Sequence, residues 1–149
     1  MRGSYLLILS LKKPVKVKVG SLGSLSFPAG YYVYAGSALG PGGLKARVNR
    51  HRRLAYTKEG KLRWHIDYLL THPAFKLAEV WLIESEKNIE CLLASKLKPY
   101  ASQVFLGFGS SDCRGGCGGH LLRFQSNPKA YILKTLGGLT FSREVFGDA

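Results

Sequence analysis

Acidic side chains are scarce. The 149 residues hold 9 Asp and Glu against 22 Lys and Arg, for a formal net charge of +13. Such an excess destabilises a compact chain by self-repulsion, so it points to a polyanionic partner, with nucleic acid the first to consider. On charge alone, a ribosomal or merely solubilising surface competes on equal terms. Cysteine is also sparse: three residues, an odd number, argue against a disulfide framework and for a reducing, cytoplasmic interior. Long hydrophobic runs are missing. No apolar stretch approaches the roughly 18 residues of a membrane helix, so no membrane partner is expected. The opening MRGSYLLILSLKKP has a short apolar stretch that carries serines and ends in two lysines without a small-residue cleavage site. It reads as a strand, not a signal peptide. Internal repeats and low-complexity linkers are lacking as well.

What is present predicts one domain over residues 1–149, since the length suits a single core and 46% of the residues are apolar. YLLILSL (5–11) is almost continuously apolar, as expected of a strand covered on both faces. VKVKV (15–19) alternates, and SLSF (24–27) follows a Gly-Ser-Leu-Gly turn, so a small half-exposed hairpin precedes the strand YYVYA (31–35). Helices are expected over 43–55, with Leu44, Val48, His51 and Ala55 in one stripe, and over 62–72, stopped by Pro73. A strand follows at 77–85, then a helix over 88–98 with Asn88 as N-cap and Pro99 after its end. Residues 104–124 are glycine-rich and then apolar, a structured loop returning to a strand or edge segment. The fold class is therefore mixed α/β (α+β): a small central sheet flanked by helices, with a β-hairpin inserted near the N-terminus.

Residues 31–51, YYVYAGSALGPGGLKARVNRH, begin as a strand and end as a cationic helix. Alternation puts Tyr32 and Tyr34 on one face with Gly30 and Gly36, and Tyr31, Val33 and Ala35 on the other. Arg47 and His51 are four apart and so neighbours on the helix. Glycines at 40, 42 and 43 permit close approach by a phosphate or by the tyrosine strand. Taken alone, these features describe half-buried tyrosines and a solvated basic face.

Together they resemble the GIY-YIG nucleases, and more narrowly a little-characterised branch found alone or joined to endonuclease-III-type DNA glycosylases. Gly3-Ser4-Tyr5 stands where that family has Gly-X-Tyr on a first strand, and Tyr34-Ala35-Gly36 where it has Tyr-X-Gly on a second. Arg47 and His51 follow on a helix, and Glu90 in NIECLL matches a metal-binding glutamate ahead of an aliphatic pair. The resemblance runs from Gly3 to Pro99. Serine and alanine at the middle motif positions, and longer spacings before Tyr34 and before Arg47, depart from the usual pattern; the hairpin at 15–27 can absorb the first of these.

The resemblance implies a Mg²⁺- or Mn²⁺-dependent endonuclease acting on DNA or another structured nucleic acid, with a link to DNA repair and to a DNA glycosylase. Catalytic roles fall to Tyr5, Tyr34, Arg47, His51 and Glu90. Glu90 would hold the hard cation, and Arg47 would present planar donors to the non-bridging oxygens. Tyr5 and Tyr34 would orient water or take its proton, the latter only if a nearby cation or metal lowers a phenol pKa of about 10. His51 would act as proton relay or phosphate ligand. Bland readings stand beside each: Tyr5 packs in a core strand, Glu90 favours a helix dipole, and His51 is a satisfied core histidine. His65, His120 and Asp112 are secondary candidates, and Asp67 reads as structural. Cys91, Cys113, Cys117 and His120 also suit a structural zinc, though not at a standard finger spacing. The competing class is an inactive nucleic-acid-binding module that assists a repair enzyme.

Overall fold

The structure, a computed structural model, describes residues 1–40, 42–109 and 118–146. Its elements in chain order are β1 (Gly3–Leu11), β2 (Val15–Lys18), β3 (Ser24–Phe27), β4 (Gly30–Ala38), α1 (Gly43–Thr57), α2 (His65–Leu70), β5 (Phe75–Glu84), α3 (Glu90–Leu97), β6 (Gln103–Phe105), β7 (Leu121–Phe124), α4 (Lys129–Thr135) and β8 (Phe141–Val145). All nine residues of β1 are buried, which accounts for its nearly unbroken apolar sequence. It pairs antiparallel with β4 on one side and β5 on the other. Among the described residues the main sheet has six strands in the order β6-β7-β4-β1-β5-β8, each paired antiparallel with its neighbours.

Strand periodicity sends alternate residues to two cores. Tyr5, Leu7 and Leu9 join Tyr32 and Tyr34 beneath α1 and α2, where Leu44, Val48, Leu54, Ile66, Leu69 and Leu70 pack. Leu6, Ile8, Val33 and Ala35 face α3 and α4 through Leu93, Ala94, Leu97 and Ile132. The expected division of the tyrosine strand between two faces is therefore realised. Strands β2 and β3 form a separate two-stranded sheet whose Val17 and Phe27 tuck into the first core. This insertion leaves Tyr5 directly opposite Gly36 in the β1–β4 register.

Several expected boundaries require correction. The second helix does not start at Leu62; it spans His65–Leu70, and Trp64 is extended. The Asp67 carboxylate turns back and accepts the backbone N–H groups of Arg63 (2.7 Å) and Trp64 (3.0 Å), which holds 63–64 outside the helix. Asn88 is not the N-cap of α3. That position belongs to Ile89, whose N–H is taken instead by the Ser4 hydroxyl across the sheet edge at 3.2 Å. The close approach at Gly43 is made by the N-terminus of the chain, since a Cβ there would lie 2.1 Å from the Met1 carbonyl oxygen. Of the two forms expected for the segment after the glycine-rich loop, the strand is realised: β7 lies inside the sheet between β6 and β4. Helix α4 and strand β8 were not anticipated. Among the described residues, no helix is long and apolar enough to cross a membrane.

Candidate active site

Antiparallel pairing brings the start of β1 beside the end of β4, and the first turns of α1, α2 and α3 close over the same end of the sheet. A cavity of about 210 Å³ forms there, lined by Tyr5, Tyr34, Gly36, Ser37, Arg47, Arg63, Trp64, His65, Glu90, Gly109 and His120. Of the five principal residues expected, Tyr5, Tyr34, Arg47 and Glu90 meet in this cavity, joined by the secondary candidates His65 and His120. His51 sits behind it, fully buried, with Nε2 2.7 Å from the Tyr5 hydroxyl. Asp112 lies outside the described residues. So do Cys113 and Cys117 of the expected zinc set, while Cys91 is disulfide-bonded.

Glycine at position 36 has a steric cause. A Cβ added there would stand 2.4 Å from both the Cζ and the hydroxyl of Tyr5, so only glycine lets the ring lie across the neighbouring strand. Gly36→Ala should therefore displace the Tyr5 ring and lower stability by about 1–3 kcal/mol, the usual cost of overpacking a tight core. The check is the urea midpoint; an unchanged value would show that the ring has room to move.

Glu90 is placed by a relay across the strand ends. The Ser4 and Ser37 hydroxyls, opposite one another in the register, are 2.6 Å apart, and Ser37 donates to Oε2 of Glu90. Ser4 also accepts the Ile89 N–H and so ties the α3 N-terminus to β1. Arg47 donates from Nη1 to the Ser37 carbonyl at 3.1 Å, and its guanidinium lies 4.4 Å from the centre of the Trp64 ring. Arg50 lies 4.5 Å from the same ring centre and reaches on to Asp67 with bonds of 3.0 and 2.8 Å. Asp67 is thus structural, as expected. It orders the 63–65 segment from which Arg63, Trp64 and His65 enter the cavity.

Burial decides the protonation states. It pushes the Tyr5 hydroxyl up to about 12, with Arg47 opposing, and raises Tyr34 well above the ordinary phenol value. This is opposite to the lowering that a phenolate base needs. Burial also brings His51 down to about 3, so its ring is neutral. His51 Nδ1 has no partner among the described residues. A buried N–H without an acceptor is rarer than an unfilled acceptor, so the proton belongs on Nε2, donating to the Tyr5 oxygen and leaving the phenolic hydrogen for the cavity. His65 and His120 are both lowered, chiefly by burial; for His120, Glu90 and a bond to the Gly109 backbone oppose it. The lining therefore combines two guanidinium groups, two imidazoles below their ordinary values and one carboxylate, an arrangement suited to an anionic ligand.

A family model matches residues 4–140: domain of unknown function DUF123. The chain belongs to that family. No curated protein and no solved structure matches it. The matched span of this DUF123 chain covers every cavity residue, from Tyr5 to His120, so the site is contained within the family domain. Four lining residues, Ser37, Arg63, Trp64 and Gly109, lie outside the expected site residues and their motifs. Ser37 follows Tyr34-Ala35-Gly36 directly, and its position opposite Ser4 was legible only with the strand register. Trp64 falls within the helix expected over 62–72, whereas it precedes the observed one.

Proposed function

We propose that this chain is a metal-dependent endonuclease of the GIY-YIG kind, hydrolysing phosphodiester bonds in DNA or another structured nucleic acid. The observation that carries the reading is the convergence of Tyr5, Tyr34, Arg47 and Glu90, from four separate elements, on one predominantly basic cavity. A cytoplasmic setting and a working link to a DNA glycosylase in repair belong to the same proposal.

Glu90 is the residue that would hold Mg²⁺ or Mn²⁺. A hard cation that keeps several waters and binds substrate phosphate needs only one or two protein carboxylates, and a half-buried glutamate fixed by Ser37 fits. Among the described residues, no group of three or more His, Cys, Asp or Glu side chains forms a closed metal cage. When bound, such a cation neutralises charge growing on the phosphate. Arg47, held by the Ser37 carbonyl and the Trp64 face, meets the non-bridging oxygens with preorganised donors. Tyr5 and Tyr34, as un-ionised phenols, position phosphate and water by donating hydrogen bonds.

Incubation with branched, abasic and single-stranded DNA in Mg²⁺ or Mn²⁺ tests the reading. Cleavage should require the cation, and Tyr5→Phe should slow it by about 10²-fold with the fold intact. Binding should vary little with sequence and weaken steeply with salt, as expected when phosphate contacts dominate. A salt-independent binding curve would remove nucleic acid as the partner. Salt-dependent binding without cleavage would leave the chain as the inactive binding module.

A further inference from the structure

Hydrolysis at neutral pH requires a group that receives a proton from the attacking water. The raised phenols are poor acceptors, and Nε2 of His51 is engaged by the Tyr5 hydroxyl. Two cavity imidazoles remain, His65 and His120, and they are not equivalent. His65 accepts the Gly109 N–H on Nδ1 at 2.8 Å, so its neutral ring carries hydrogen on Nε2 and presents a donor. His120 is 4% exposed and clamped through its backbone: its N–H reaches the Phe108 carbonyl at 2.8 Å, and its carbonyl receives the Ala35 N–H at 3.0 Å. Its Nε2 is buried and has no partner among the described residues. His120 lines a cavity large enough for water, and a buried polar atom left without a partner calls for a ligand.

The tautomer of His120 follows from that unpartnered atom. A buried N–H without an acceptor is rarer than an unfilled acceptor, so the ring hydrogen belongs on Nδ1 and the lone pair remains on Nε2. The two histidines are thus set oppositely, His65 as donor and His120 as acceptor. The titratable groups sharing the cavity with them are Tyr5, Tyr34, Arg47, Arg63 and Glu90.

We propose that His120 is a catalytic residue of this site, its Nε2 lone pair taking the proton of the water that attacks the phosphodiester. The inference rests on the nuclease reading and supplies the proton acceptor that the phenols do not. In the step, the water oxygen bonds to phosphorus as its proton passes to Nε2. The bond from phosphorus to one bridging ester oxygen breaks, its electron pair stays on that oxygen, and solvent protonates it. His120 then releases its extra proton to solvent. His65 donates from Nε2 to a non-bridging oxygen.

Two measurements test this. Imidazole ¹⁵N NMR of the substrate-free protein at neutral pH should show His120 hydrogenated on Nδ1 and His65 on Nε2; the reverse tautomer at His120 overturns the proposal independently of any activity. In single-turnover cleavage, His120→Asn, which keeps a donor near Gly109 but has no basic lone pair, should lower the rate by about 10²- to 10³-fold with little change in substrate affinity. His120→Ala should be equally slow and partly rescued by free imidazole. Wild-type rates in the Asn variant, or a slow Ala variant that imidazole does not rescue, overturn it. A wild-type protein that cleaves nothing removes the underlying nuclease reading instead, and the control in the same assay separates the two failures.

Discussion

Glu90→Gln should abolish cation-dependent cleavage, by about 10³-fold or more, while nucleic-acid binding persists or tightens slightly. Glutamine keeps the length of the side chain and its place at the start of α3, and its amide oxygen can still accept from Ser37. What it lacks is the negative charge that would hold a hard cation. Lewis-acid stabilisation of a phosphoryl transition state is worth several kcal/mol, which corresponds to a rate loss of this order. Stability should change little, because a carboxylate near a helix N-terminus contributes only about 0.3–1 kcal/mol. Removing a negative charge from a chain of net charge +13 favours a polyanion, hence the expected direction for binding. Single-turnover cleavage over a range of Mg²⁺, with anisotropy titrations on the same substrate, checks both parts. A Gln variant that cleaves at the wild-type rate would place the active site elsewhere.

The largest loss of stability should come from Asp67→Ala. The Asp67 side chain is wholly buried and Arg50 is 16% exposed, and the pair is joined at 2.8 Å. The same carboxylate also accepts from the backbone of Arg63 and Trp64. Truncation leaves a mostly buried guanidinium without its partner and two N–H groups without acceptors, a change that costs about 3–5 kcal/mol. For a chain of this length the melting temperature should fall by about 10 °C or more. The pH dependence has a definite sign. Burial raises the Asp67 pKa, but the bonds from Arg50, Trp64 and Arg63 and the Arg50 charge outweigh it and hold the group below the ordinary carboxylate value. Its contribution is therefore present above that ordinary value and is lost as pH falls through the depressed one. Wild-type protein should lose stability in that acidic window, and Asp67→Ala should show a flatter profile there. Parallel acid profiles for the two proteins would show that Asp67 does not carry this linkage.

Both substitutions act on residues whose chemistry was visible early but whose roles separated only in three dimensions. Glu90 and Asp67 each occupy the first turn of a helix, where a carboxylate is favoured whatever else it does. Packing distinguishes them: Asp67 is enclosed and saturated by donors, whereas Glu90 is half-buried beside a cavity. The same distinction applies to the histidines. His51 lies on the apolar stripe of α1 and is sealed behind Tyr5, while His120 comes from a glycine-rich stretch without helical or strand periodicity and is held in place by Phe108 and Ala35.

The amino-acid order by itself determined the strand–hairpin–strand–helix succession, the two faces of the tyrosine strand and the basic character, because side-chain period and local turn chemistry are properties of short segments; Tyr5, Tyr34, Arg47 and Glu90 stood out as a set only through the family resemblance. Tertiary structure alone decided that Tyr5 stands opposite Gly36, that Ser4 and Ser37 link α3 to the sheet edge, and that Trp64 holds Arg47. It also decided the direction in which each buried group shifts, upward for the phenols and downward for the imidazoles. Register depends on pairing between segments about 30 residues apart, and desolvation depends on everything packed around a group, so neither can be read from the residues that flank it.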